Sequence, residues 1–176
     1  MDDRLLMLTL RLIHILSGIF LVGGVLVLTG FLLPALRAAG PEGGRFMQQV
    51  MQRRRLPVYL AVAMALTLLS GLGMYGRLAA LTHGAWAASR PGIALGVGGL
   101  AAILAALVGV VFARPAGARL AALGETMQQT QAAGGRPSPA QLAEVEALQA
   151  RIARAAGAVA ALLVFSAAAM ATARYL

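Results

Sequence analysis

The stretch LIHILSGIFLVGGVLVLTGFLL, Leu12 to Leu33, contains a single ionisable side chain, His14, in a run that is otherwise apolar, small or hydroxylic. As a helix rising 1.5 Å per residue it reaches about 33 Å, enough to cross the roughly 30 Å hydrocarbon core of a bilayer. Three further runs have the same character, Pro57 to Ala80, Gly92 to Ala113 and Gly157 to Ala173. The sequence therefore predicts an all-α protein, a polytopic membrane four-helix bundle forming one integral membrane domain over residues 1–176. Four spans and one sizeable connection use the whole length, so no separate globular catalytic domain is expected.

Composition points the same way. Hydrophobic residues make up 60% of the chain and charged residues 12%, with a mean hydropathy of +0.80, which no soluble domain of 176 residues would carry. The net charge of +9 raises the question of nucleic acid, and the placement of the charge answers it. All fifteen basic residues are arginine, and they cluster at the ends of the apolar runs with no basic stripe interleaved with aromatics. Nucleic acid is thus not an expected partner, whereas anionic lipid headgroups are, above all at Arg53, Arg54 and Arg55.

The arginines also set an orientation. Arg37, Arg45, Arg53, Arg54 and Arg55 follow the first span, and Arg114, Arg119, Arg136, Arg151 and Arg154 follow the third, while the middle connection has only Arg77 and Arg90. The positive-inside rule then puts the two arginine-rich connections in the cytoplasm and both termini outside. Asp2 and Asp3 agree with an exported N-terminus. The first span is expected to be retained rather than cleaved, because the segment before it is not net positive and the apolar run exceeds that of a signal peptide.

Local patterns refine the picture. Residues 42–55 read as an amphipathic helix along the membrane surface, with Phe46, Met47, Val50 and Met51 on one face and Gln48, Gln49 and Gln52 on the other. Residues 114–150 read as a cytoplasmic helical hairpin between helices 3 and 4. Leu120, Leu123 and Met127 face Leu142, Val145, Leu148 and Ile152 across a turn at Gly134, Gly135, Arg136 and Pro137. Ser138 with Gln141 forms a capping box and Pro139 opens a helix that continues unbroken to about Ala173. Gly92 and Gly96, then Ala94, Gly98, Ala102 and Ala106, form ridges spaced by four that serve close packing within the bundle or a homodimer. Each half has a helix, an arginine-rich connection and a second helix, the outline of a duplication.

His14 is the one ionisable residue well inside a span, which marks it as the candidate site. Met7, Arg11, His14, Ser17 and Leu21 share a face, and Ser166, Met170 and Arg174 form a parallel stripe on the fourth span. Three readings follow. His14 bonds to a hydroxyl or backbone carbonyl as a structural element; or it binds copper, with Met7, Met74 or Met170 as thioether partners; or it is an axial ligand of heme b, with Arg11 and Arg174 on the propionates. His83 lies in the exported connection, near Trp86 as an interface anchor, and is at most an accessory ligand. The chain lacks cysteine, an acidic residue inside the spans, HExxH and a P-loop, so thiol chemistry, acid-based proton relays and the common hydrolase and phosphate-binding motifs have no candidate residues.

The run Leu12, Ile13, His14, Ile15, Leu16, Ser17, Gly18, Ile19, Phe20, Leu21, Val22, Gly23, Gly24, with Leu32, Leu33, Pro34, Ala35, Leu36 and Arg37, resembles the first helix of the copper-resistance protein D (CopD) group and its small bacterial relatives. It is more distantly similar to HemJ-type membrane proteins, which handle heme or its precursors. The resemblance implies a bacterial inner-membrane protein with copper handling at His14, or heme binding in its place. HemJ-type proteins pair their histidine with an intramembrane lysine; this chain has no lysine, so His14 is the only position carried over.

Overall fold

The computed structural model describes residues 3–176, apart from the side chains of Pro41, Arg45 and Gln52. The readings of Asp2, Arg45 and Gln52 therefore fall outside the described residues. The protein is all-α. Helix α1 runs from Asp3–Ala38, α2 from Gly40–Gln48, α3 from Leu56–Leu81, α4 from Arg90–Ala132 and α5 from Pro139–Thr172. Helices α1, α3, α4 and α5 are long and apolar enough to cross a membrane.

The helices extend beyond the apolar runs. Polar sequence outside the hydrocarbon continues the backbone ladder wherever nothing breaks it, so α1 passes Leu33 and α4 passes Ala113 without a stop. Each does so over a proline, whose missing N–H and bulky ring disrupt the bond to the residue four before it. Both helices meet this with a wider π-type turn, Leu28–Leu32 before Pro34 and Gly109–Ala113 before Pro115. Phe31 and Phe112 each lie three residues before their proline, and Ala35 and Ala116 each follow it, which gives local substance to the outline of a duplication.

Residues 114–150 are thus not a loop between helices but the projecting ends of α4 and α5. At about 51 Å, α5 is far longer than a bilayer core is thick. It opens with the expected capping box: Gln141 N–H donates to Ser138 Oγ at 3.2 Å, and Ser138 N–H donates to Gln141 Oε1 at 2.8 Å. The hairpin seam forms with Leu123 buried and Leu120, Met127, Val145, Leu148 and Ile152 half-buried, while Leu142 stays exposed. Arg119 Nε donates to Glu144 Oε1 at 2.6 Å, and that hydrogen bond and charge raise the arginine's pKa above its ordinary value. The amphipathic segment is present as α2 with a wide turn, Gln49–Arg53. It is tied to the hairpin by Gln128 Nε2 donating to Gln48 Oε1 at 3.1 Å, and α1 is tied to α5 by Arg37 donating to Gln149 O at 3.1 Å.

Packing keeps an apolar centre but, unlike that of a soluble domain, also presents an apolar exterior. Leu21, Val25, Ala63, Ala105 and Leu163 form the buried centre, one or more from each spanning helix. Leu16, Ile19, Phe31 and Leu69 are among the large apolar side chains that face outward, as suits a lipid solvent. Helix α4 comes close to α5 at Gly98, where an added Cβ would lie 3.2 Å from Met170 Cγ and 3.3 Å from Ala169 Cβ. Neighbours in the buried stripe are Ala101, Ala102 and Ala105, so the small residues of this helix are used within the bundle. Contacts close a ring α1, α3, α4, α5, and are most extensive between α1 and α3 and between α4 and α5.

Helix α3 ends in a Schellman motif: Gly84 N–H donates to Ala79 O at 2.8 Å and His83 N–H to Ala80 O at 3.2 Å. The C′ position of that motif favours glycine, yet it holds His83 at φ 49. His83→Gly is therefore expected to raise stability by about 0.5–1 kcal/mol. The check is the midpoint of thermal unfolding in detergent, and an unchanged or lowered midpoint would show that the imidazole itself contributes.

Candidate functional site

The site lies in the seam between α1 and α3, which pack as an antiparallel pair by matching large groups to glycines. Leu10 Cδ1 would lie 3.6 Å from a Cβ at Gly73, and Leu60 Cδ2 3.2 Å from one at Gly24. Between these two contacts the His14 imidazole rests on Gly71, where an added Cβ would come within 2.9 Å of Cε1 and 3.1 Å of Nδ1. The seam of α1 is thus Leu10, His14, Ser17, Gly18, Leu21 and Gly24, at helical spacings of three and four. Met7 is half-buried and Arg11 exposed, with Arg11 on the outer flank of this seam.

His14 Nδ1 is 2.8 Å from Thr67 O. A carbonyl only accepts, so Nδ1 carries a proton, and in the neutral form of the ring the lone pair is then on Nε2. Ser70 Oγ is 3.4 Å from the same Nδ1 and gives its own proton to backbone carbonyls of α3, Leu66 O or Thr67 O. Ser17 Oγ lies 2.8 Å from Thr67 Oγ1, and each hydroxyl also reaches a carbonyl one turn back in its own helix, Ile13 O at 2.6 Å and Ala63 O at 2.8 Å. Ser17, Thr67 and Ser70 are thereby satisfied, as buried hydroxyls in lipid need to be. Nε2 has no hydrogen-bond partner among the described residues, and no buried side-chain nitrogen or oxygen there is left unpaired, so Nε2 keeps access to its surroundings. On the lipid side of this seam an open apolar groove of about 440 Å³ runs between Leu16, Ser17 and Phe20 of α1 and Tyr59, Val62 and Leu66 of α3.

The other residues singled out in the sequence have different surroundings. Ser166 is buried and Met170 half-buried, both against Gly98 in the α4–α5 seam. Arg174 stacks 4.5 Å above the Tyr175 ring and donates to its hydroxyl. Met7 lies seven residues from His14, about 10 Å along the helix axis between backbone positions. No hydrogen bond or ion pair among the described residues joins Met7, Met170, Arg11 or Arg174 to His14. His83 is exposed in the turn beyond α3, and Trp86 meets Tyr75 edge to face at 5.2 Å.

Thr67, Ser70 and Gly71 are the neighbours that sequence reading did not assign to the histidine. Their signal was present as a hydroxyl pair three residues apart with a glycine beside it, inside an apolar span. No group of three or more His, Cys, Asp or Glu is found among the described residues, so a metal here would rely on the single imidazole and softer or external ligands. Chemically, the seam offers one imidazole fixed through Nδ1, with Nε2 unpartnered among the described residues and no carboxylate, amine or thiol beside it. No protein-family model, no curated protein and no solved structure matches this chain.

Proposed function

We propose that this integral membrane protein handles copper through His14, in the outer leaflet of a bacterial inner membrane. The supporting observation is the Nδ1 hydrogen bond to Thr67 O, which fixes the tautomer and points to Nε2 as a ligand atom. A neutral imidazole suits Cu(I), and the absence of cysteine removes the competing thiolates. One protein ligand leaves coordination positions open, a property of a site that passes its cargo on rather than stores it. The same reading is implied by the resemblance, read from the sequence alone, of residues 12–24 and 32–37 to the first helix of the copper-resistance protein D group. The arginine-rich end, with the hairpin, is assigned to the cytoplasm by the positive-inside rule, and both termini to the outside.

A b-type heme protein that passes electrons is the second reading. Arg11 supports it, being exposed one turn outward from His14 and free of ion pairs among the described residues, where a propionate would need a cation. Arg174 fits that role less well because it is engaged with Tyr175.

One sample decides between them. Detergent-purified protein is loaded with Cu(I) and assayed for bound metal, and its reduced-minus-oxidised visible spectrum is recorded. Copper at one equivalent or less per chain, lost in His14→Ala, is the expected result. Unchanged binding in that variant would remove His14 from the proposal. A b-type band that scales with protein and disappears in His14→Ala would replace copper with heme. Neither metal nor band would leave a scaffold or assembly subunit as the function.

A further inference from the structure

The arginines of the hairpin end are not equivalent. Arg119 is neutralised by Glu144, Arg37 donates to Gln149 O, Arg151 lies 5.8 Å over the Phe112 ring, and Arg154 donates to Ala150 O. Arg53, Arg54 and Arg55 are exposed and have no ion pair, side-chain hydrogen bond or ring contact among the described residues. No acidic residue occurs in the sequence between Glu42 and Glu125, so nothing nearby in the chain offsets them.

Their position is as specific as their charge. The wide turn Gln49–Arg53 ends at the first, and Arg55, at φ 51, reverses the chain into α3. Helix α3 is about 39 Å long, which leaves about one turn beyond the hydrocarbon at each end. The three guanidinium groups therefore sit at headgroup depth, next to Val58 and Tyr59, which are 55% and 61% exposed and carry the surface into the apolar zone.

We infer that Arg53, Arg54 and Arg55 form a docking surface for anionic phospholipid, with guanidinium groups on headgroup phosphates and the start of α3 against the upper acyl chain. Guanidinium forks match phosphate oxygens in pairs, and each basic residue at an anionic surface contributes about fivefold in affinity. The inference does not depend on the ligand of His14 or on which side of the membrane this end faces.

The test uses the full-length protein taken up from bilayers of mixed phosphatidylglycerol and phosphatidylcholine, with the retained lipid counted by native mass spectrometry. Replacing all three arginines by glutamine should lower the preference for the anionic lipid on the order of a hundredfold. The triple lysine variant should retain most of it, and Arg90→Gln, at the opposite end, should leave it unchanged. A triple glutamine variant with the parent's helicity and the parent's lipid preference would overturn the inference. Should that variant not fold, the parent protein decides: a preference abolished by high salt supports the surface, and one that survives high salt overturns it. Inorganic phosphate at matched ionic strength should not displace the lipid, and displacement would overturn the lipid as occupant.

Discussion

Gly71→Val is expected to destabilise the protein by about 2–4 kcal/mol, combining an overpacked seam with a lost interhelical hydrogen bond. Even the first carbon of a side chain at this position would come within 2.9 Å of His14 Cε1 and 3.1 Å of Nδ1. The ring cannot retreat along α1 because Ser17 and Thr67 close the seam on the inner side. It has to swing out, and Nδ1 then leaves Thr67 O. Unfolding in mixed micelles, followed by circular dichroism, measures the loss. A double variant with His14→Ala removes the clashing ring, so the two changes should be strongly non-additive. Additive effects, or a stability within about 0.5 kcal/mol of the parent, would mean that the imidazole does not occupy this position. If copper binds at Nε2, Gly71→Val should also weaken it without touching a ligand atom, which separates positioning of the ring from its mere presence.

A second large effect is expected at the start of α4. A Cβ at Gly92 would lie 2.1 Å from Trp86 O and 2.9 Å from Ala87 Cα, and both are backbone atoms that no rotamer change can move. Gly92→Ala should therefore cost about 3 kcal/mol or more, because the turn before α4 has to be rebuilt. That turn holds the helix cap, with Ser89 donating to Trp86 O at 2.6 Å and accepting from Gly92 N–H at 3.3 Å. Ser89→Ala removes the cap alone and should cost about 1 kcal/mol. The chain has a single tryptophan, and it sits against Tyr75, so its fluorescence reports the rebuilding directly. An unchanged spectrum with a small loss in Gly92→Ala would show that the turn has room to spare.

Most of the architecture was legible because lipid narrows the choices. A backbone in hydrocarbon has to satisfy its own hydrogen bonds, so four apolar runs of sufficient length read directly as four helices. Helix ends were less legible. Leu33 and Ala113 mark where apolar sequence stops, but the ladder in α1 and α4 continues past both, and the wide turns that carry it over Pro34 and Pro115 have no simple sequence code. At the site, His14 stood out because no other imidazole, and no carboxyl or amine side chain, lies inside a span. Its bond to a backbone carbonyl was among the readings, but the helix that supplies the carbonyl was not legible, for a physical reason. Spacing along α1 defines which residues share a face but not which helix that face meets. The parallel stripe of Ser166 and Met170 suggested α5, whereas Gly71 and Gly73 of α3 offer the hollows that fit His14 and Leu10, and Gly98 of α4 takes Ser166 and Met170.

The pairwise packing of α1 with α3 and of α4 with α5 bears on how the chain enters a membrane. His14, Ser17, Thr67 and Ser70 would each be expensive to expose singly to lipid, yet all four find partners within the first pair of helices. A ribosome that has synthesised only as far as Leu81 has already supplied every group this polar cluster uses. The first hairpin can therefore leave the insertion machinery with its polar seam closed, and the second can dock later through its own small-residue surface.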